Sequence, residues 1–314
     1  MGSSAGAAGL GLISAASWGG SDFVGGLGAR RAPAMLVVVS GHLFTMLVLL
    51  AVCLGLHLTL PGTHSLLLAS IAGFEGSLAL ALFYRALAMG AMGLTAALTG
   101  LLTALIPVLF ALLHDGLPAP LTLAGLAMGC VAIWLITRGS ASASPETTVL
   151  ESRQELRGPQ DSSGLPVARK TSPEAQGAAT PPAALLLGTL AGVGFGLQLI
   201  LFKFATTGSL LWTMTSARAA GALALILVIA IRPPKAPWRG FWLAGIAAGL
   251  LDTIGNLFYL RATQLGRLDV AALVCSLYPA GTILLAAAVL REWPTRRQVA
   301  GMALALAAVV LLSR

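Results

Sequence analysis

Apolar runs of about twenty residues recur along most of the chain, separated by short polar or charged stretches. A helical run of that length is enough to cross ~30 Å of hydrocarbon. The pattern predicts spans at about 8–28, 34–58, 65–88, 91–113 and 120–137, then at 183–205, 209–231, 240–262, 268–290 and 296–312. In lipid a spanning segment must satisfy its own backbone hydrogen bonds, which leaves helices or closed barrels. These runs are solid Leu, Ala, Val and Gly, without the ten-residue alternation of barrel strands, so the expected class is an all-α membrane protein with ten transmembrane helices. Residues 139–182 break the pattern. They are rich in Ser, Pro, Glu, Arg and Gln, the low-hydrophobicity signature of a disordered polar linker, and they separate 8–138 from 183–314.

The two blocks repeat one another. A shift of 176 residues sets 83–138 against 259–314 with fifteen identities, among them Arg85/Arg261, Gly90/Gly266, Pro118/Pro294 and Ala124-Gly125/Ala300-Gly301. Five spans per block is an odd number, so the second block must enter the membrane the other way up, giving inverted repeats, a 5+5 arrangement. Loop charges agree in most places. Arg30 and Arg31 follow the first span but Thr206, Thr207 and Gly208 the sixth; no Lys or Arg follows the second, but Arg232, Lys235 and Arg239 follow the seventh.

Composition narrows the class further. The chain is 57% hydrophobic and 10% charged, against about a quarter charged in an average soluble domain. The net charge of +8 does not point to nucleic acid, because Lys and Arg gather in the loops as cytoplasmic loops facing anionic membrane lipid require. By that bias the protein sits in the inner (cytoplasmic) membrane as a multi-pass protein with both termini outside. Cys53, Cys130 and Cys275 lie inside apolar runs without CxxC spacing, which suits neither a disulfide framework nor a metal site. The first run lacks a basic n-region and an A-x-A site, so it is expected to be kept as a helix.

Tyr259-Leu-Arg-Ala-Thr-Gln-Leu-Gly266, Ser276-Leu-Tyr-Pro279, Leu290-Arg-Glu-Trp-Pro294 and Gln298-Val-Ala-Gly301 resemble the second half of EamA-type transporters of the drug/metabolite transporter (DMT) superfamily. Phe83-Tyr-Arg-Ala-Leu87, Gly90, Pro107 and Gly125 repeat a looser version, and Trp18-Gly19 is similar to the family's first-helix motif. The resemblance implies ten helices in inverted repeats around a central cavity, alternating access, and export of amino acids or other small metabolites. It also implies cytoplasmic termini, the opposite of the charge bias. His42 stands where the second half has Arg218, the residue common in the family, and Pro107 lies one turn later than the position matching Pro279.

Ionisable groups at bilayer depth cost on the order of 3 kcal/mol, so they generally face a cavity and have partners. The 176-residue shift sets Asp22 on Gln198 and His42 on Arg218; one residue further, Glu75 meets Asp252. Each block thus carries a polar group, a base and an acid on its first three spans. Glu75 and Asp252 fall mid-span, where low dielectric disfavours the charged form, and are the leading candidates for proton-linked or cation-binding groups. The competing reading is structural: ion pairs of Glu75 with His42 and of Asp252 with Arg218. Asn256 and Tyr259 continue the face of Asp252, and Trp18 lies one turn before Asp22. Tyr278 stands beside Pro279, and both Pro107 and Pro279 are expected to kink their helices and free a carbonyl. Gly192-x-Gly-x-Gly196 has no strand before it and is not a dinucleotide fingerprint. HExxH, GxSxG and paired Asp motifs are absent, so no catalytic residues, cofactor or metal is expected. The reading is a secondary transporter of a small-molecule substrate, with a proton as coupling ion and a monomer or weak homodimer as the unit. The rivals are a passive facilitator or channel and a membrane-embedded enzyme.

Overall fold

A computed structural model describes residues 2–89, 92–141, 181–205, 208–234, 240–290 and 293–312. The linker expected over 139–182 lies almost wholly outside them. Every element is helical: α1 (Gly2–Ala29), α2 (Ala34–Gly55), α3 (Thr63–Met89), α4 (Met92–His114), α5 (Pro120–Ala141), α6 (Pro182–Ala205), α7 (Leu210–Ile231), α8 (Phe241–Leu265), α9 (Leu268–Cys275), α10 (Tyr278–Leu285) and α11 (Arg296–Leu312), with a π-helical turn over Ala286–Leu290. Proline opens α5 and α6, where its missing N–H has no helical partner to lose. Ser209 caps α7 by accepting from the Trp212 N–H, and Gly240 enters α8 with φ 73°, a conformation glycine adopts without strain.

Among the described residues, six segments are long and apolar enough to cross a membrane: α2, α3, α6, α7, α8 and the stretch Leu268–Leu290. Leu98–His114 and Pro120–Ile136 are shorter apolar helices. α1 is 28 residues long, but Gly, Ala and Ser fill much of it and dilute its hydropathy. The bundle is turned inside out relative to a soluble protein. Leu47, Leu67, Leu113, Leu243 and Ile231 face outward, while Asp22, His42, Arg218 and Asn256 are buried.

One expected span differs in form. Residues 268–290 are not a continuous kinked helix, because α9 ends at Cys275, Ser276 and Leu277 form a turn, and α10 starts afresh at Tyr278. Pro279 therefore sits in the first turn of α10, where a proline breaks no hydrogen bond, while Pro107 lies inside α4 as its position predicts.

Small residues set the packing. α1 lies along α8, α3 along α6, and α5 along α11; α2 packs on both α7 and α8, and α3 on α7. A Cβ on Gly41 would meet the backbone of Gly245 and Gly249, and one on Gly73 would meet the backbone of Ala217. The 176-residue shift carries Gly41 onto Ala217 and Gly73 onto Gly249, so the close approach of α2 to α8 has its counterpart in that of α7 to α3. Close backbone approach of this kind is how membrane helices gain van der Waals contact without a hydrophobic driving force.

Candidate functional site

The middle of the bundle encloses a cavity lined by Trp18 and Asp22 of α1, Leu80 of α3, Thr103 of α4, Phe195, Gln198 and Leu199 of α6, Asp252 and Asn256 of α8, and Tyr278 of α10. Three helices come from before the linker and three from after it. The space between these atoms is about 370 Å³ out to its mouth, but the centre of a water molecule can move through only about 30 Å³ of it. That is room for about two waters, at roughly 10–15 Å³ each on that measure.

An ion-paired chain backs the cavity. Arg218 Nη2 donates to Asp252 Oδ2 at 2.5 Å, and Asn256 Nδ2 donates to Asp252 Oδ1 at 3.1 Å and to the Asp252 carbonyl at 2.8 Å. Because both acceptors belong to Asp252, the orientation of the Asn256 amide is fixed and its Oδ1 is turned elsewhere. Arg218 Nη1 lies 3.4 Å from His42 Nδ1 and 3.3 Å from Nε2, near-equal distances that set the guanidinium against the face of the ring. Ser77 donates its only proton to the Gly73 carbonyl at 2.6 Å, so it accepts from His42 Nε2 at 2.8 Å. A neutral ring satisfies both contacts, whereas a protonated one would set like charges together. Arg218 is 4% exposed and His42 also 4%, so this chain is removed from solvent.

Asp22 has no such support. It is 5% exposed, and its Oδ2 is buried without a hydrogen-bond partner. Helix pairing explains why the two aspartates share a cavity. Gln198 of α6 packs on Gly76 of α3 and donates to the Ala72 carbonyl at 3.0 Å. The 176-residue shift maps that pair of positions onto Asp22 and Asp252, on α1 and α8, which pack along one another.

Aromatic rings close the rest. Trp18 stands 5.9 Å from Tyr259 and 6.3 Å from Tyr278 between ring centroids, and Phe83 meets Phe195 and Tyr278 edge-on. Tyr259 is fully buried behind Trp18, and its hydroxyl donates to the Leu199 carbonyl at 2.8 Å. Tyr84 is equally buried; its hydroxyl meets Ser21, whose own proton goes to the Ala248 carbonyl.

The structure thus gathers Trp18, Asp22, Gln198, Asp252, Asn256 and Tyr278 around one space, with His42, Arg218 and Tyr259 directly behind. Glu75 stands apart. It does not line the cavity, Gly194 of α6 lies beside it, and its Oε1 is buried with no partner, so the expected pair with His42 does not form. The residue that matches Asp252 under the shift is Gly76, and a one-residue step on a helix turns a side chain by about 100°. Tyr84, Thr103, Phe195 and Leu80 were not among the sequence candidates. Gly25 carried the one signal for Tyr84, since a Cβ there would collide with its ring. Among the described residues, no group of His, Cys, Asp and Glu could hold a metal ion.

Comparison with known proteins finds a family likeness in the second block. Residues 182–314 match the model of the EamA-like transporter family. The fold of the whole chain is similar to a protein of known crystal structure, with a TM-score of 0.65 and 17% identity over 97% of this chain and 95% of the other, a likeness of fold alone. No curated protein matches.

Proposed function

We propose that the chain is a secondary transporter that carries a small metabolite, an amino acid or similar polar or amphipathic solute, across the cytoplasmic membrane in the export direction. The carrying observation is that the cavity is built in equal parts by helices from before and after the linker. Rocking one half against the other changes every wall of it, which is what alternating access requires. The reading takes the halves as inverted five-helix repeats, ten spans in all. The paired approaches of Gly41 to Gly249 and of Gly73 to Ala217, related by one shift, support that arrangement. Loop charges favour both termini outside. In the described state the space holds about two waters, so a metabolite enters only when one side opens.

Trp18, Asp22, Gln198, Asp252, Asn256 and Tyr278 form the binding surface in this reading, with Tyr259 holding Trp18. Arg218 and His42 set the charge of Asp252, and Pro107 is a flexing point of α4. Proton linkage rests on Asp22, Asp252 and Glu75, carboxyl groups within the bundle.

Proteoliposomes containing the purified chain test this. An imposed pH gradient should drive accumulation of an amino acid from a mixed panel, and Asp22→Asn or Asp252→Asn should abolish it. Downhill flux that no gradient can drive uphill would leave a passive facilitator. Unchanged transport and pH dependence in Glu75→Gln together with Asp252→Asn would remove the proton assignment.

A further inference from the structure

The hydrogen-bonding inventory of the cavity leans toward acceptors. Three of its donors are already engaged: Asn256 Nδ2 on Asp252, Gln198 Nε2 on the Ala72 carbonyl, and Thr103 Oγ1 on the Thr99 carbonyl; the Tyr278 hydroxyl is buried without a partner and can donate or accept. Both amide orientations follow from acceptors that only an NH2 group can serve. Two acceptors are buried without donors, Asp22 Oδ2 and Asn256 Oδ1, and Gln198, whose Nε2 is engaged, also lines the cavity. Buried acceptors without donors cost ~1–3 kcal/mol each, so a ligand that supplies the donors is selected.

Charge points the same way. Arg218 matches Asp252 and otherwise meets only a neutral His42 ring, which leaves Asp22 as the unmatched charge of the cavity lining. The wall beside it is aromatic, with Trp18, Tyr278 and Phe195, and ring faces attract cations.

Resting on the reading of this cavity as the transport site, we propose that it recognises a protonated primary amine, the ammonium group donating to Asp22, Asn256 Oδ1 and Gln198 Oε1. A carboxylate or phosphate supplies charge of the wrong sign and no donors. A quaternary ammonium has the charge but no N–H to give.

Three probes of matched size separate these cases on the full chain in detergent micelles: phenethylamine, its N,N,N-trimethyl derivative and 3-phenylpropionate. A ligand that binds the folded state raises the unfolding midpoint with its concentration. Phenethylamine should stabilise the wild-type chain and Asp22→Glu, its apparent affinity should fall at least tenfold in Asp22→Asn, and the other two probes should have no effect. Stabilisation by 3-phenylpropionate or by the trimethyl compound equal to that by the amine overturns the proposal, and so does undiminished amine binding by Asp22→Asn. If Asp22→Asn does not fold, the three-probe comparison on the wild-type chain decides alone. Flux in proteoliposomes tells the two readings apart. Amine binding without flux of any solute sinks the transporter and leaves the site. Flux of another solute that phenethylamine neither stabilises against nor competes with sinks the site and leaves the transporter.

Discussion

Removing Arg218 while keeping Asp252 is the most informative perturbation of the bundle. Arg218→Met has similar length and no charge, and it leaves the Asp252 side chain, 14% exposed, without its counter-charge. Deleting one member of a buried pair costs about 3–5 kcal/mol. A second route gives a ceiling, because the stranded carboxylate can take up a proton instead. For an ordinary aspartate that costs about 4 kcal/mol at pH 7, at 1.36 kcal/mol per unit above 3.9. The ceiling falls to about 1.5 kcal/mol at pH 5, so the destabilisation by Arg218→Met should shrink as pH falls. Adding Asp252→Asn removes the stranded charge and should bring the double variant within about 1 kcal/mol of wild type. Asp22→Asn, which breaks no ion pair, should lie within about 0.5 kcal/mol of wild type or above it. Reversible unfolding in mixed micelles at pH 5, 6, 7 and 8 measures all four proteins. A penalty for Arg218→Met that is equal at pH 5 and pH 8, or a double variant no more stable than the single one, refutes the reasoning.

Other outcomes follow from packing and surface charge. Gly73→Val places its branched side chain on the Ala217 backbone, which cannot move aside, and should abolish the monodisperse peak in size-exclusion chromatography. Gly9→Ala has nothing within 4 Å and should be stabilising by up to ~1 kcal/mol through helix propensity, checked by thermal melting. Tyr259→Phe removes the hydrogen bond to the Leu199 carbonyl and should cost about 0.5–1 kcal/mol in the same melts. Asp115→Asn removes its ion pairs with Lys203 and His114 at partly exposed positions, so its cost should stay under about 1 kcal/mol and shrink in high salt.

The helices were largely legible because each apolar run is bounded by charges, glycines or prolines that cannot continue it. The expected start of the tenth span and the end of the seventh coincide with Arg296 of α11 and Ile231 of α7. The broken ninth span was not legible, since one proline is compatible both with a kink inside a helix and with the first turn of a new one. Only the turn at Ser276 and Leu277 distinguishes them. Asp22 and Asp252 were found as acids at bilayer depth, but their neighbourhood depends on two helix pairings that no local pattern encodes. Glu75 has the same chemistry and the wrong azimuth. Tyr84 went unnoticed for a related reason: its motif reads as a helix end, and its burial is made by a glycine 59 positions away in sequence, Gly25.

The stacking of Arg218 on His42 has a consequence for how such a chain can arise. Two residues that are equivalent under the 176-residue shift and also touch mark the place where, in an assembly of two identical halves, a position would confront its own copy. Arginine at that position in both copies would press guanidinium against guanidinium in the dry centre of the bundle, and histidine in both would leave Asp252 without a cation. A single polypeptide escapes that constraint, because positions 42 and 218 mutate independently. The neutral ring on one side and the charged fork on the other form a division of labour that two identical halves could not hold.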